Sequence, residues 1–246
     1  MNQHTTEQKM RQLRLSGMAD AYHQLITQKN APQMSADELL ASLTDAEWER
    51  RQNKKIENLV RTAGFGSMAS PTNVDYTSKR KLQQDVFSRL LTLEFIRQAE
   101  NIIITGPTGI GKSYLAHALG TAACQMGMRT LCFSFANLAE EVKLARIEGS
   151  YLKLTKKIAR AELLIIDDLG LHPFDNDTRQ AFMHIIESRY EQNSTIITAQ
   201  IPVSAWHKSI GEGTIADAIL DRLVYSSHRL ELQGESLRKN KKLKGI

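Results

Sequence analysis

Two rhythms of apolar residues run along this chain, and one replaces the other after the first third. Met10, Leu13, Met18, Tyr22, Leu25 and Ile26 recur at roughly helical spacing with charges between them, so the first 30 residues read as helix as far as Ala31-Pro32. Ser35-Ala36-Asp37-Glu38 pairs a capping serine with an acid three residues on, which predicts a long helix to about Thr62. Gly64, Gly66, Ser67, Ser70 and Pro71 then break the pattern as a linker would. A domain boundary is expected near residues 66–78, giving a helical domain over 1–70 and a second domain over 71–246.

After a further helix at about 79–98 the rhythm changes. Ile102-Ile103-Ile104, Thr130-Leu131-Cys132-Phe133, Leu163-Leu164-Ile165-Ile166 and Thr195-Ile196-Ile197-Thr198 are short apolar runs of buried-strand character. Helical segments at about 112–126, 137–158 and 177–192 separate them, and a fifth strand is expected near Arg229-Leu230-Glu231-Leu232. Such alternation predicts an α/β fold, a parallel sheet covered by helices on both faces.

Composition changes this picture little. The 246 residues, 41% hydrophobic and 24% charged, suit an ordinary globular protein of one medium and one smaller domain. The sequence has neither a bilayer-spanning apolar run nor a secretory leader, so a soluble cytoplasmic protein is expected. Cys124 and Cys132 fall in a predicted helix and a predicted strand and read as small core residues. The net charge of +5 gathers in the tail, where residues 231–246 hold five basic and two acidic side chains. A basic tail suits a polyanionic partner but does not establish one.

The chemistry starts at Gly106-Pro107-Thr108-Gly109-Ile110-Gly111-Lys112-Ser113, a full P-loop pattern between a predicted strand and a predicted helix. Its glycines let successive N–H groups turn toward phosphates, and the helix amino terminus adds partial positive charge. Lys112 can reach the β- and γ-phosphates of ATP, and Ser113 can ligate Mg²⁺. Downstream, Asp167 and Asp168 follow four apolar residues at the carboxyl end of a strand, where open α/β sheets hold ligands. Asp167 is expected to hold Mg²⁺ and Asp168 to polarise the attacking water. Many such hydrolases carry Glu in the second position; the shorter Asp168 suggests slow hydrolysis. Thr198 and Gln200 close the fourth strand within reach of a γ-phosphate, and Arg222 can stabilise charge on the transferring phosphoryl group as an arginine finger. Ordinary helix-surface pairing of Arg222 near Asp217 or Ala218 is the alternative.

GPTGIGKS, LLIIDDLG, TAQIP and ILDRL together resemble the helicase-loader and transposition-helper branch of AAA+ ATPases. MRQLRLSGMADAY, LVRTAGF and RLLTLEFIRQAENIIITGPTGIGKSYLAHALG are similar to the IstB-like ATPases in particular, so the likeness covers nearly the whole chain. The resemblance implies an AAA+ core behind a small all-helical domain, and an ATPase that assembles as a homo-oligomeric ring or helix on duplex DNA. It also implies little sequence preference and an insertion-sequence transposase as partner. It matches Lys112 and Ser113 to the P-loop lysine and hydroxyl, and Asp167 and Asp168 to the acidic pair. Gln200, with Thr198 as the alternative, matches the polar sensor, and Arg222 the finger lent to a neighbour. Arg238, after Gly234-Glu235-Ser236-Leu237, resembles a second arginine sensor, although Leu237 stands where an aromatic is usual. With little chain beyond it for a helical lid, the adenine grip is expected partly from the linker, near Phe65 and Tyr76.

Two basic clusters are candidates for DNA phosphates: Lys153, Lys156, Lys157 and Arg160, and Arg50, Arg51, Lys54 and Lys55. Either also reads as a solvated helix face. A DnaC-like replicative helicase loader, a P-loop small-molecule kinase and a nucleotide-gated binding protein with negligible hydrolysis are the other readings that the sequence leaves open.

Overall fold

The computed structural model describes residues 3–27, 34–67, 69–76, 80–211 and 213–237. The chain divides into two compact units, Met1–Asn58 and Leu59–Ile246.

In the first unit, α1 (Gln3–Gln12) and α2 (Ser16–Thr27) replace the single amino-terminal helical segment. Arg14, with φ of 61°, breaks the run; Ala31-Pro32, its expected end, lies outside the described residues. The capping box forms as the sequence requires. Ser35 N donates to Glu38 Oε2 at 2.7 Å, and Glu38 N donates to Ser35 Oγ at 3.3 Å, at the head of α3 (Ala36–Ala63). Buried Glu47 of α3 caps α2, accepting from Gly17 N at 2.7 Å and Met18 N at 3.3 Å, while Arg51 Nε sits 2.7 Å from its other oxygen. Burial pushes the Glu47 carboxyl up, but the Arg51 and backbone hydrogen bonds outweigh it and hold the group below its ordinary value.

The second unit takes in the predicted linker. Ala69 and Val74 are buried in the same core as the P-loop helix, α6 (Lys112–Gln125), and Tyr114 Oη donates to Ser70 O at 3.2 Å. The compact units therefore part at 58/59, earlier than the 70/71 boundary expected from the glycine and proline residues. Those residues mark turns, whereas apolar neighbours decide to which core the segment belongs.

Five strands, β1 (Asn101–Thr105), β2 (Thr130–Ser134), β3 (Leu163–Leu169), β4 (Ser194–Ala199) and β5 (Ser227–Glu231), form one parallel sheet in the order β2-β3-β4-β1-β5. Alternate residues serve opposite faces. Ile102, Ile104, Leu163, Ile165 and Ile196 pack into the α6 side, and Ile103, Leu164, Ile166 and Ile197 pack into the other. This two-sided burial is why the strands read as unbroken apolar runs.

Two expected helices are divided. The segment 137–158 becomes α7 (Phe135–Ile147) and α8 (Tyr151–Ala159), because Gly149 adopts φ of 72° between them. The segment 79–98 becomes α4 (Gln84–Leu90) and α5 (Glu94–Arg97), with Leu93 at φ of 61°. Further α-helices among the described residues are α9 (Asn176–Arg189), α10 (Trp206–Ile210) and α11 (Gly213–Val224). Buried Arg189 ties α8, α9 and β4 through the carbonyls of Ile158, Ala161 and Ser194 at 2.5–2.7 Å, and desolvation lowers its pKa to about 9. Cys124 and Cys132 are free and buried, and burial drives the Cys132 thiol up to about 12. Among the described residues no helix is long and apolar enough to cross a membrane.

Candidate functional site

The P-loop leaves β1 at its carboxyl end. Gly106 has φ of 149° and lies so close to the chain just past β5 that a Cβ there would fall 2.5 Å from Leu232 O, so no larger residue fits. The turn continues through Pro107, Thr108, Gly109 and Ile110 to Gly111, which caps α6. Lys112 is buried, and its Nζ donates to Pro107 O at 3.0 Å, which places the ammonium back across the loop that it closes. Ser113 lies in the first turn of α6, half-buried.

The acidic pair arrives from β3. Asp167 lies beside Ser134 of β2, and the strand bulges between Ile166 and Leu169. Asp168 sits in the bulge with φ of 59°, a left-handed conformation that Asp tolerates better than most residues. Thr198 of β4, fully buried, organises both residues: its hydroxyl donates to Asp167 Oδ1 and accepts from Asp168 N at 3.0 Å. Gln200, two residues on, accepts from the P-loop hydroxyl of Thr108 at 2.6 Å through Oε1. Of the two sensor candidates, Gln200 meets the loop and Thr198 holds the Asp167 carboxylate and the Asp168 backbone. β4 thus links the glycine turn to the acidic strand.

The chain returns across the loop after β5. Leu232 N donates to Thr105 O at 2.8 Å, and Leu237 N donates to Gly109 O at 2.9 Å. Arg238, the next residue, lies outside the described residues. Phe65 packs on Gly120 and against the His117 ring at 5.5 Å. Gly120 is eight residues into α6, about 12 Å along it from Lys112, so Phe65 serves the helix flank rather than the loop. Tyr76 meets Phe87 edge-on at 6.2 Å.

Arg222 lies elsewhere. Its backbone carbonyl accepts from Asn101 Nδ2 at 3.2 Å, which puts it at the amino end of β1, whereas the P-loop leaves the carboxyl end. At about 3.3 Å per residue the strand separates the two by roughly 15 Å. The guanidinium is engaged locally. Nε lies 2.7 Å from Glu187 Oε2, Nη1 donates to Ala218 O at 3.0 Å, and Cζ sits 5.8 Å from the Tyr190 ring centre. Asp217 pairs instead with His207 at 3.2 Å.

At the amino edge of β2 and β3 a groove of about 770 Å³ brings Lys153, Lys156, Lys157 and Arg160 together with Arg129. Leu59, Leu131, Leu152 and Ala161 are among the residues that line it. Arg129 was not legible in advance, because one basic residue before a strand looks like any solvated turn. Arg50, Arg51, Lys54 and Lys55 belong to the first unit, where Arg51 is spent on Glu47.

A parallel five-stranded 2-3-4-1-5 sheet with a P-loop after β1, an acidic pair near the carboxyl end of β3 and a polar residue after β4 defines an ATP-binding protein with the AAA+ P-loop fold. The family described as IstB-like ATP binding protein matches residues 8–245, and the chain belongs to it. Similar proteins include y4pL of Sinorhizobium fredii, named as an insertion sequence ATP-binding protein, which is 42% identical over 98% of each chain. The insertion sequence IS21 ATP-binding protein of Pseudomonas aeruginosa is 28% identical over 98% of this chain and 91% of its own. Among solved structures, the DnaC helicase loader superposes with a TM-score of 0.55 at 21% identity, covering 69% of this chain and 98% of that one. AMPPCP-bound DnaA from Aquifex aeolicus gives 0.59 at 20% identity, covering 74% of this chain and 57% of that one. These two likenesses concern the fold.

Proposed function

We propose that this protein is a magnesium-dependent ATPase that assembles on duplex DNA, with little sequence preference, and assists an insertion-sequence transposase. The observation that carries the reading is the bridging of P-loop and acidic strand by β4, through Gln200 on Thr108 and Thr198 on Asp167 and Asp168. A γ-phosphate held by Lys112 would meet Gln200 and face the water oriented by Asp168. Ser113 and Asp167, one hydroxyl and one carboxylate beside phosphates, form a hard-oxygen donor set that suits magnesium. Magnesium bound there would offset charge on the phosphates.

The distance of Arg222 from its own P-loop supports a finger given to a neighbouring subunit. Release from Glu187 is then part of assembly, and nucleotide occupancy governs whether subunits join. The basic groove supports backbone recognition of DNA through Lys153, Lys156, Lys157, Arg160 and Arg129, without base reading. It lies at the edge of the sheet opposite the P-loop, so DNA and nucleotide do not compete for space.

The deciding experiment is electron microscopy of the purified protein with ATP and mixed-sequence duplex, together and singly. Ordered assemblies only when both are present support the reading, and their absence in that condition rejects it. Capture of the transposase encoded alongside, rather than a replicative helicase, separates this function from helicase loading.

A further inference from the structure

Arg80 is one of the largest side chains buried in the molecule, at 2% exposure, and it belongs to none of the motifs above. Its carbonyl accepts from Gln233 N at 3.3 Å, so it lies where the chain crosses the P-loop after β5. Nη1 donates to Asp75 O at 2.8 Å. Nε and Nη2 are both buried and have no hydrogen-bond partner among the described residues. The guanidinium is aimed at the P-loop. A Cβ on Gly111, which has φ of 98°, would stand 2.6 Å from Nη2, 3.3 Å from Cζ and 3.6 Å from the Leu237 side chain.

A buried cation with two idle donors is costly unless an acceptor arrives. Desolvation already pulls the Arg80 pKa below its ordinary value, against the attraction of Asp75. The two idle groups share one edge of the guanidinium, the edge that pairs with two adjacent oxygens. A phosphoryl group offers such a pair, whereas adenine presents no edge with two adjacent acceptors. Gly111 caps α6, whose N–H groups face phosphate when a P-loop is filled.

We propose that Arg80 is a further nucleotide-binding residue, its Nε–Nη2 edge donating to phosphoryl oxygens of the nucleotide in the P-loop. The proposal rests on the nucleotide reading of that loop. It implies that the segment before α4 completes the site from outside the motif, and that binding relieves an electrostatic burden built into the free protein.

The test measures binding of Mg-ATP and of magnesium tripolyphosphate to the full chain by calorimetry, with thermal unfolding of the free and loaded protein. Arg80→Met removes the charge at similar volume. It is expected to weaken both ligands about tenfold or more while leaving the free protein's Tm unchanged or raised, so that the shift given by ATP shrinks. Arg80→Lys, which keeps the charge but loses the fork, is expected to fall between. An Arg80→Met protein that binds both ligands like the parent overturns the proposal. So does one whose Tm drops equally with and without ATP, the behaviour of a structural arginine. Weaker ATP binding with unchanged tripolyphosphate binding overturns the assignment to phosphate. Lys112→Ala separates the levels: if it too binds ATP normally, the nucleotide reading of the loop has failed, not only the role of Arg80.

Discussion

Arg222 holds Glu187 at 2.7 Å while its own carbonyl is fixed by Asn101 at the far end of the strand that leads into the P-loop. Under the proposed function, a guanidinium paired with one carboxylate, on a backbone anchored away from its own P-loop, serves a neighbouring subunit. Arg222→Ala is expected to bind ATP as the parent does and to lose hydrolysis by about 10³-fold or more. Mixing it with Lys112→Ala is the sharper measurement. Each variant alone is expected to be inactive, but a mixed assembly puts an intact P-loop beside an intact Arg222, so turnover should partly return. No recovery in mixtures would remove the lent finger.

The Thr198 hydroxyl serves two partners at once. Thr198→Val keeps the shape but leaves Asp168 N without its acceptor and Asp167 without its donor. A loss of about 1–3 kcal/mol is expected from thermal unfolding. The magnesium concentration needed for half-maximal turnover should also rise, since the Asp167 carboxylate is no longer held.

Asp168→Asn should separate binding from hydrolysis. With Asp168 as the base of the proposed reaction, the variant is expected to lose about 10²–10⁴-fold in turnover, to keep its ATP affinity and to form longer-lived assemblies on DNA. Dissociation of labelled duplex after dilution into excess ADP measures that lifetime.

The basic groove predicts a salt signature. Each phosphate contact contributes about 0.9 to the slope of log affinity against log salt on duplex DNA. Lys156→Ala with Arg160→Ala should lower the slope by up to about two, equally for unrelated sequences. An unchanged slope moves the DNA surface elsewhere.

The first unit predicts a pH effect. Glu47 has a folded pKa below its unfolded one, so its stabilisation is present above the unfolded value, near 4.3. It fades as pH falls through the depressed folded value. Glu47→Gln should cost about 1–3 kcal/mol at pH 7 and much less under strong acid, measured by denaturant unfolding of the full chain at both pH values.

Periodicity made the sheet legible because its strands are buried on both faces, which leaves continuous apolar runs such as Leu163–Ile166. The turn chemistry made the P-loop legible, since Gly106-x4-Gly111-Lys112-Ser113 meets steric and electrostatic demands within eight residues. Helix ends were less readable where one left-handed residue decides, as at Leu93 and Arg14, because most residue types reach that conformation only when neighbours compel it. The linker's packing was not readable from the same local pattern, since Ala69 and Val74 join a core built by residues far along the chain.

The amino-acid sequence by itself determined the local matters: a parallel sheet, a phosphate-gripping turn, two carboxylates at a strand tip and a capped α3. These follow from rules that act within a few residues. Tertiary structure alone decided that Thr198 steadies the Asp167 carboxylate and the Asp168 backbone while Gln200 meets Thr108, and that Arg222 lies away from its own P-loop. It also decided that Arg129 joins the α8 lysines and that buried Arg80 faces Gly111. Each of these depends on contacts between residues separated by tens of positions, which strand order and packing fix and no local pattern encodes.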